Sequence, residues 1–118
     1  YVVYLYNYVR STNKITAQII IKDLRVTSYF GWVAKADIEI YDKTLIVVNI
    51  DSSWCRNGFG SKCLSHIVKY AMENGVEAIR GEVWEQTPIG VGNLIRFYEK
   101  NGFNVRQNGQ RRIFEKKL

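Results

Sequence analysis

One proline, one histidine, one methionine and two cysteines in 118 residues set aside several kinds of protein at once. With a single proline and no low-complexity stretch, no linker divides the chain, and nothing in it repeats. Cys55 and Cys63 have neither the density of a disulfide scaffold nor the paired spacing of a zinc site, so no metal centre is expected. Reduced thiols in a cytoplasmic protein are the expectation. No apolar run reaches the ~18–20 residues that cross a bilayer. The opening YVVYLYNYV (1–9) is apolar and aromatic, but it has no basic leader and no small-residue cleavage site after it, so it reads as a strand. Acidic residues are the other shortage. Eleven Asp and Glu stand against seventeen Lys and Arg, giving a net charge of +6. That balance suits an anionic partner: a nucleotide cofactor, a nucleic acid or an acidic protein surface. A solvated basic surface has the same composition, so charge alone does not choose.

Hydrophobic residues make up 47 % of the chain, enough for one cored domain over residues 1–118 and too few residues for two. The first half is rich in β-branched and aromatic residues bounded by turn formers. Strands are expected at Tyr1–Val9, Ile15–Leu24, Trp32–Tyr41 and Thr44–Ile50, with turns at Ser11–Lys14 and Asp42-Lys43. The pattern changes after Asp51. Leu64, Ile67, Val68, Ala71 and Met72 recur at helical spacing, which predicts a helix over Ser61–Asn74 with Lys62, Ser65, His66, Lys69 and Glu73 on its polar side. Asn74-Gly75 supplies a left-handed stop. A strand at Ala78–Trp84 follows. Thr87-Pro88, Gly90 and Gly92 then break the chain ahead of a second helix over Asn93–Lys100, which presents Leu94, Phe97 and Tyr98 together. Phe103–Val105 and Arg111–Glu115 complete a hairpin across Asn108-Gly109, a pair suited to a type I′ turn. The order predicts an α+β (α/β) mixed sheet: an antiparallel meander, then helix, strand, helix and C-terminal hairpin.

One segment carries chemistry. A strand leading through Arg56-Asn57-Gly58-Phe59-Gly60-Ser61 into a helix turns unpaired backbone N–H groups, and the positive end of the helix dipole, toward one point. Its glycines let a phosphate approach the backbone, Ser61 adds a hydroxyl, and Arg56 and Lys62 lie close enough in sequence to neutralise charge. A G-x-G alone equally serves a tight turn. A Walker loop is excluded by spacing. A dinucleotide fingerprint is weakened, because its third glycine position holds Cys63, although Glu82 stands at a plausible distance for a ribose-binding acid.

Residues 45–50 (LIVVNI), the loop with its helix start at 56–64 (RNGFGSKCL), and 97–103 (FYEKNGF) together resemble the GNAT superfamily of N-acetyltransferases, over roughly residues 44 to 105. The resemblance implies that the loop holds the coenzyme A pyrophosphate, that the strand ending at Asn49 and Ile50 lines the pantetheine arm, and that Tyr98 protonates the departing thiolate. Acetyl-CoA is then the co-substrate. The sequence departs from the family at Cys55, where Gln or Arg is usual, and at Val91, where an asparagine is usual; Asn93 is near but out of register. It also has no room for the family's two helices between the first and second strands, since Ser11–Lys14 is only a turn. Those helices help to wall the acceptor site, so an open groove is expected, suited to a protein side chain or terminus as well as to a small amine.

Amine acetylation requires a neutral amine, a polarised thioester carbonyl and a proton for sulfur. Tyr98 is the candidate acid, with a core aromatic as its bland alternative. Backbone N–H groups near Asn49 and Ile50 are the carbonyl-binding candidates, where the strand splays. Glu82 and Asp51 are candidate bases, though both suit ordinary solvated positions, and an amine that arrives deprotonated needs neither. His66 sits on the polar helix side, and Trp32, Trp54 and Trp84 read as packing. A non-catalytic acyl-CoA-binding or regulatory module is the alternative function. A nucleic-acid binder using the basic stretch Arg106–Lys117 ranks last, for want of any known binding motif.

Overall fold

The computed structural model describes residues 2–11, 14–22, 34–52, 58–83 and 90–118. Four strands come first: β1 (Val2–Ser11), β2 (Lys14–Lys22), β3 (Ala34–Tyr41) and β4 (Thr44–Ser52). Helix α1 (Phe59–Glu73), strand β5 (Ala78–Val83) and helix α2 (Val91–Lys100) follow, and β6 (Asn104–Asn108) and β7 (Arg111–Lys117) close the chain. They form one mixed sheet in the order β1-β2-β3-β4-β5-β7-β6. Among the described strands only β4 and β5 pair in parallel. A parallel pair requires a crossover, and α1 supplies it.

Burial alternates along the strands because the described helices cover one sheet face. In β2 the buried residues are Ala17, Ile19 and Ile21, in β3 Ala34, Ala36, Ile38 and Ile40, and in β5 Ile79, Gly81 and Val83. Register partners share a face, so Ile38 with Val47, Leu45 with Ile79 and Gly81 with Phe114 carry this core across the sheet. Both helices lie on it. Helix α1 buries Phe59, Cys63, Leu64, Ile67, Tyr70 and Ala71, while Tyr98 of α2 stacks on Phe114. The expected stripe on α1 is rotated slightly: Tyr70 is buried, and Met72, read as apolar-face, is solvent-exposed. Period 3.6 carries a stripe that begins at Phe59 through Cys63 and Ile67 to Tyr70, leaving Met72 to one side.

The opposite face mixes Tyr4, Ile20 and Ile46 with polar residues that pair with one another. Gln18 Nε2 donates to Asp37 Oδ1 at 2.8 Å. Lys14 pairs with Glu39 at 3.2 Å, and Arg80 reaches Glu115 at 2.7 Å. No described helix covers it, in keeping with the two-residue connection between Ser11 and its partner Lys14.

Two turns differ from expectation. Asn108 pairs with Arg111, so the β6–β7 loop is Gly109-Gln110, and of these only Gly109 (φ 64°) has positive φ. That is not the type I′ turn over Asn108-Gly109 that the dipeptide suggested. The I′ pattern appears instead at Asp42-Lys43, where φ is 50° and 60°, between the paired Tyr41 and Thr44. Both helices do end as read. Gly75 (φ 67°) and Gly102 (φ 87°) are left-handed, and the following amides of Val76 and Phe103 donate to the carbonyls of Ala71 and Tyr98 at 3.0 Å.

Candidate active site

Strands β4 and β5 are hydrogen-bonded for a short distance only. Thr44–Val47 pair with Ala78–Gly81, and beyond that point β4 continues along β3 as far as Ser52 while β5 continues along β7 as far as Val83. A wedge opens between two parallel neighbours. The register records its cause: Asp37 faces Asn49 and Ile38 faces Val47, so Val48 is an extra residue in β4. A bulge of this kind bends its strand and increases the local twist. Past Val48, backbone groups of Asn49–Asp51 that do not pair with β3 are turned toward the wedge.

The wedge lies at the carboxyl end of β4, the end from which the chain reaches α1. Gly58 precedes the helix in left-handed conformation (φ 77°, ψ 0°), and its carbonyl accepts from the Lys62 amide at 3.0 Å. Among the described residues no side chain caps α1, and no acid stands in its first turn. The amides of Phe59, Gly60 and Ser61 have no acceptor within the helix, so this terminus keeps its donors and its partial positive charge for an anion. Gly60 has a second use. A Cβ there would lie 3.3 Å from Phe97 Cε1, so the missing side chain lets α2 close against α1. Ser61 is likewise engaged with α2: its hydroxyl accepts from Asn101 Nδ2 at 3.3 Å, and the same amide nitrogen donates to the Phe97 carbonyl at 2.8 Å. The Lys62 ammonium stands 4.9 Å over the Phe59 ring. Arg56 and Asn57, the other expected members of the loop, lie outside the described residues, as do Cys55, Trp32, Trp54 and Trp84.

Tyr98 comes from the side of the core. It is 6 % exposed, stacked on Phe114 with centroids 3.8 Å apart, and flanked edge-on by Phe97 and Phe103. Burial, and then the neighbouring Cys63 thiol, raise its phenol well above the usual range. Burial also pushes the Cys63 thiol up to about 12. At neutral pH both keep their protons.

The two candidate bases lie on the other face. Alternation along β5 puts Glu82 opposite in direction to Gly81 and Val83, and Arg111 Nε approaches its Oε1 at 3.3 Å. Asn49 and Asp51 are register partners of Asp37 and Lys35, so they too belong to the polar face, where Asn49 Nδ2 donates to Asp51 Oδ2 at 2.7 Å. Ile50 is opposite the buried Ala36 and belongs to the core side. The candidate acid and the candidate bases therefore lie on opposite faces of the sheet. Asn93 stands apart: it is exposed on α2, where its Oδ1 accepts from Arg96 Nη2 at 2.5 Å. Among the described residues, no group of His, Cys, Asp and Glu is placed to hold a metal, and no helix is long and apolar enough to cross a membrane.

No protein-family model and no curated protein matches the sequence. Solved structures do match by shape. The PaiA N-acetyltransferase of Thermoplasma acidophilum, crystallised with coenzyme A, is 18 % identical over 90 % of this chain, with a TM-score of 0.66. The fold is that of the GNAT N-acyltransferases. An acetyltransferase from Bacillus cereus is similar at 22 % identity over 89 % of this chain and 74 % of its own, again with a TM-score of 0.66. The anti-CRISPR protein AcrVA5 is similar at 20 % identity, with a TM-score of 0.64, over 83 % of this chain and 96 % of its own. The chain spans 62 % of the length of the Thermoplasma protein.

Sequence reasoning passed over two residues here, Gly81 and Phe114. A glycine inside a strand pattern is a signal of close approach, and a Cβ at Gly81 would fall 2.1 Å from the tip of the Phe114 ring.

Proposed function

We propose that the chain binds acetyl-CoA and transfers its acetyl group to a primary amine by direct attack. The observation that carries this reading is the parting of β4 from β5 beyond Val47 and Gly81 beside an uncapped helix start at Gly58. The amides of Phe59, Gly60 and Ser61 suit a pyrophosphate, and the turned-out backbone near Asn49 and Ile50 suits a pantetheine amide and a polarised thioester carbonyl. Acetyl-CoA would supply an activated acyl group. The chain's own residues then divide the work. The amine approaches from the polar face past Asn49, Asp51 and Glu82, which can hold an ammonium or accept its proton directly or through water. As the carbon–sulfur bond breaks, Tyr98 gives its proton to sulfur from the core side. With no described helix over the polar face, the acceptor site is open enough for an amine on a protein as well as for a small molecule. The Thermoplasma complex with coenzyme A supports the choice of cofactor.

A non-catalytic acyl-CoA-binding module is the second reading. It is favoured by the near-complete burial of Tyr98 and by the occupation of Glu82 by Arg111. Native mass spectrometry with acetyl-CoA, followed by an acceptor panel of polylysine, peptides with free N-termini and spermidine, separates the two. Bound coenzyme A with transfer to any of these amines supports the enzyme. Binding without transfer supports the module, and no binding at saturating acetyl-CoA overturns both.

A further inference from the structure

The rings around Tyr98 are not equivalent. Phe97 and Phe103 meet it edge-on with centroids 5.1 and 6.1 Å away, whereas Phe114 lies parallel to it at 3.8 Å with an interplanar angle of 11°. Phe114 rests in turn on the backbone of β5. A Cβ on Gly81 would lie 2.1, 2.6 and 2.8 Å from three atoms of its ring, so every residue but glycine would drive the ring off the strand. Gly81 is the register partner of both Phe114 and Val47, and with Val47 it forms the last pair before the wedge. The tip of the Phe114 ring thus abuts the β5 backbone at the last β4–β5 pair, and the Tyr98 ring stacks on that ring. The stack fixes how high the phenol stands above the strands.

We propose that Phe114 is a positioning residue for Tyr98, with Gly81 setting the height at which the Phe114 ring lies. The proposal rests on the reading that Tyr98 protonates the leaving thiolate. Phe114 itself touches no reacting atom; it acts by holding the phenol in register with the wedge, where a displacement of about 1 Å is enough to lower turnover by up to about a hundredfold. A merely structural role would weaken folding or cofactor binding and leave the turnover of the bound complex alone.

The test uses the full chain, acetyl-CoA and polylysine, with release of free thiol as the rate and thermal melting alongside it. Tyr98→Phe is expected to lower kcat by about tenfold or more. Phe114→Leu, or Phe114→Met should the leucine variant fail to fold, is expected to lower kcat by about tenfold while KM for acetyl-CoA stays within about twofold. Gly81→Ala should lower both kcat and the melting temperature. In Gly81→Ala/Phe114→Leu the clash is gone, so the melting temperature recovers while kcat stays at the Phe114→Leu level. Parental kcat in the Phe114 variants, with a slow Tyr98→Phe, overturns the positioning role alone, as does a loss seen only in KM. Parental turnover by Tyr98→Phe, or no transfer by the parent, overturns the proton-donor reading and this proposal with it.

Discussion

The edge of the Phe97 ring lies 3.3 Å from the point at which a Cβ on Gly60 would sit, which ties the start of the first helix to the middle of the second. Two effects of Gly60→Ala oppose each other. Alanine gains up to about 1 kcal/mol over glycine in a helix interior, and less in a first turn, while the contact obliges Phe97 to give by a few tenths of an ångström. Stability should stay within about 1 kcal/mol of the parent. Acetyl-CoA binding should weaken by about tenfold, roughly 1.4 kcal/mol, because the shifted turn carries the anion-facing amides. Melting curves and calorimetric titration check both halves.

Gly58 presents a different case, since a Cβ there meets nothing within 4 Å and only its φ of +77° is at stake. Gly58→Ala should cost about 1–2 kcal/mol, and Gly58→Asn distinctly less, because asparagine tolerates the left-handed region. Equal losses for the two variants in urea melts would show that the left-handed turn is not what the glycine provides.

The Asp42-Lys43 turn has two left-handed residues and no glycine, so it carries removable strain. Lys43→Gly gives up an ion pair with Glu77 that is 3.7 Å long, with side chains 70 % and 73 % exposed, and such pairs contribute little. Relief of the left-handed cost is the larger effect. A net stabilisation of up to about 1 kcal/mol is expected in thermal or urea melts, and a lower midpoint would refute it.

Burial raises the Cys63 thiol from an ordinary 9.0 to about 12, so between these values the unfolded chain gives up a proton that the folded chain keeps. The folded state then binds more protons, and stability falls as pH rises. The same sign applies to Tyr98 and Tyr70, whose phenols are also raised by burial. Urea midpoints should be lower at pH 10 than at pH 8, and the decline should be smaller in Cys63→Ala. Peptide-resolved alkylation at pH 8 should leave Cys63 unmodified in the folded protein and modify it in urea.

Much of this arrangement was legible in the sequence, because it depends on local signals. The two glycine stops after α1 and α2 follow from backbone sterics, and the meander from runs of β-branched residues with short turns between them. The α1 stripe was read one position off at Met72, since five apolar residues fix a helix more firmly than they fix its rotation. The turn types were misread for a related reason: Asn-Gly is a preference, whereas the pairing of Asn108 with Arg111 is set by the whole hairpin. The expected splay near Asn49 and Ile50 is present. Nothing local, however, says that Tyr98 and Glu82 belong to opposite faces, or that Gly81 and Phe114 lie in contact, because both depend on the register across three strands. The Asn93 side chain accepts a hydrogen bond from Arg96 one turn further along α2, a contact that its nearness to a family position does not foretell.

The extra residue at Val48 gives β4 two phases. Before it, odd-numbered positions such as Leu45 and Val47 face the core; after it, even-numbered Ile50 does, and the odd-numbered Asn49 and Asp51 face outward. Deleting Val48 would merge the two phases into one regular strand, since Asn49 would then follow Val47 in ordinary alternation. Asn49 and Asp51 would stay on the polar face and Ile50 on the core side, so one missing residue would take away the local bend and twist of β4 beside the wedge without moving any of these side chains to the other face.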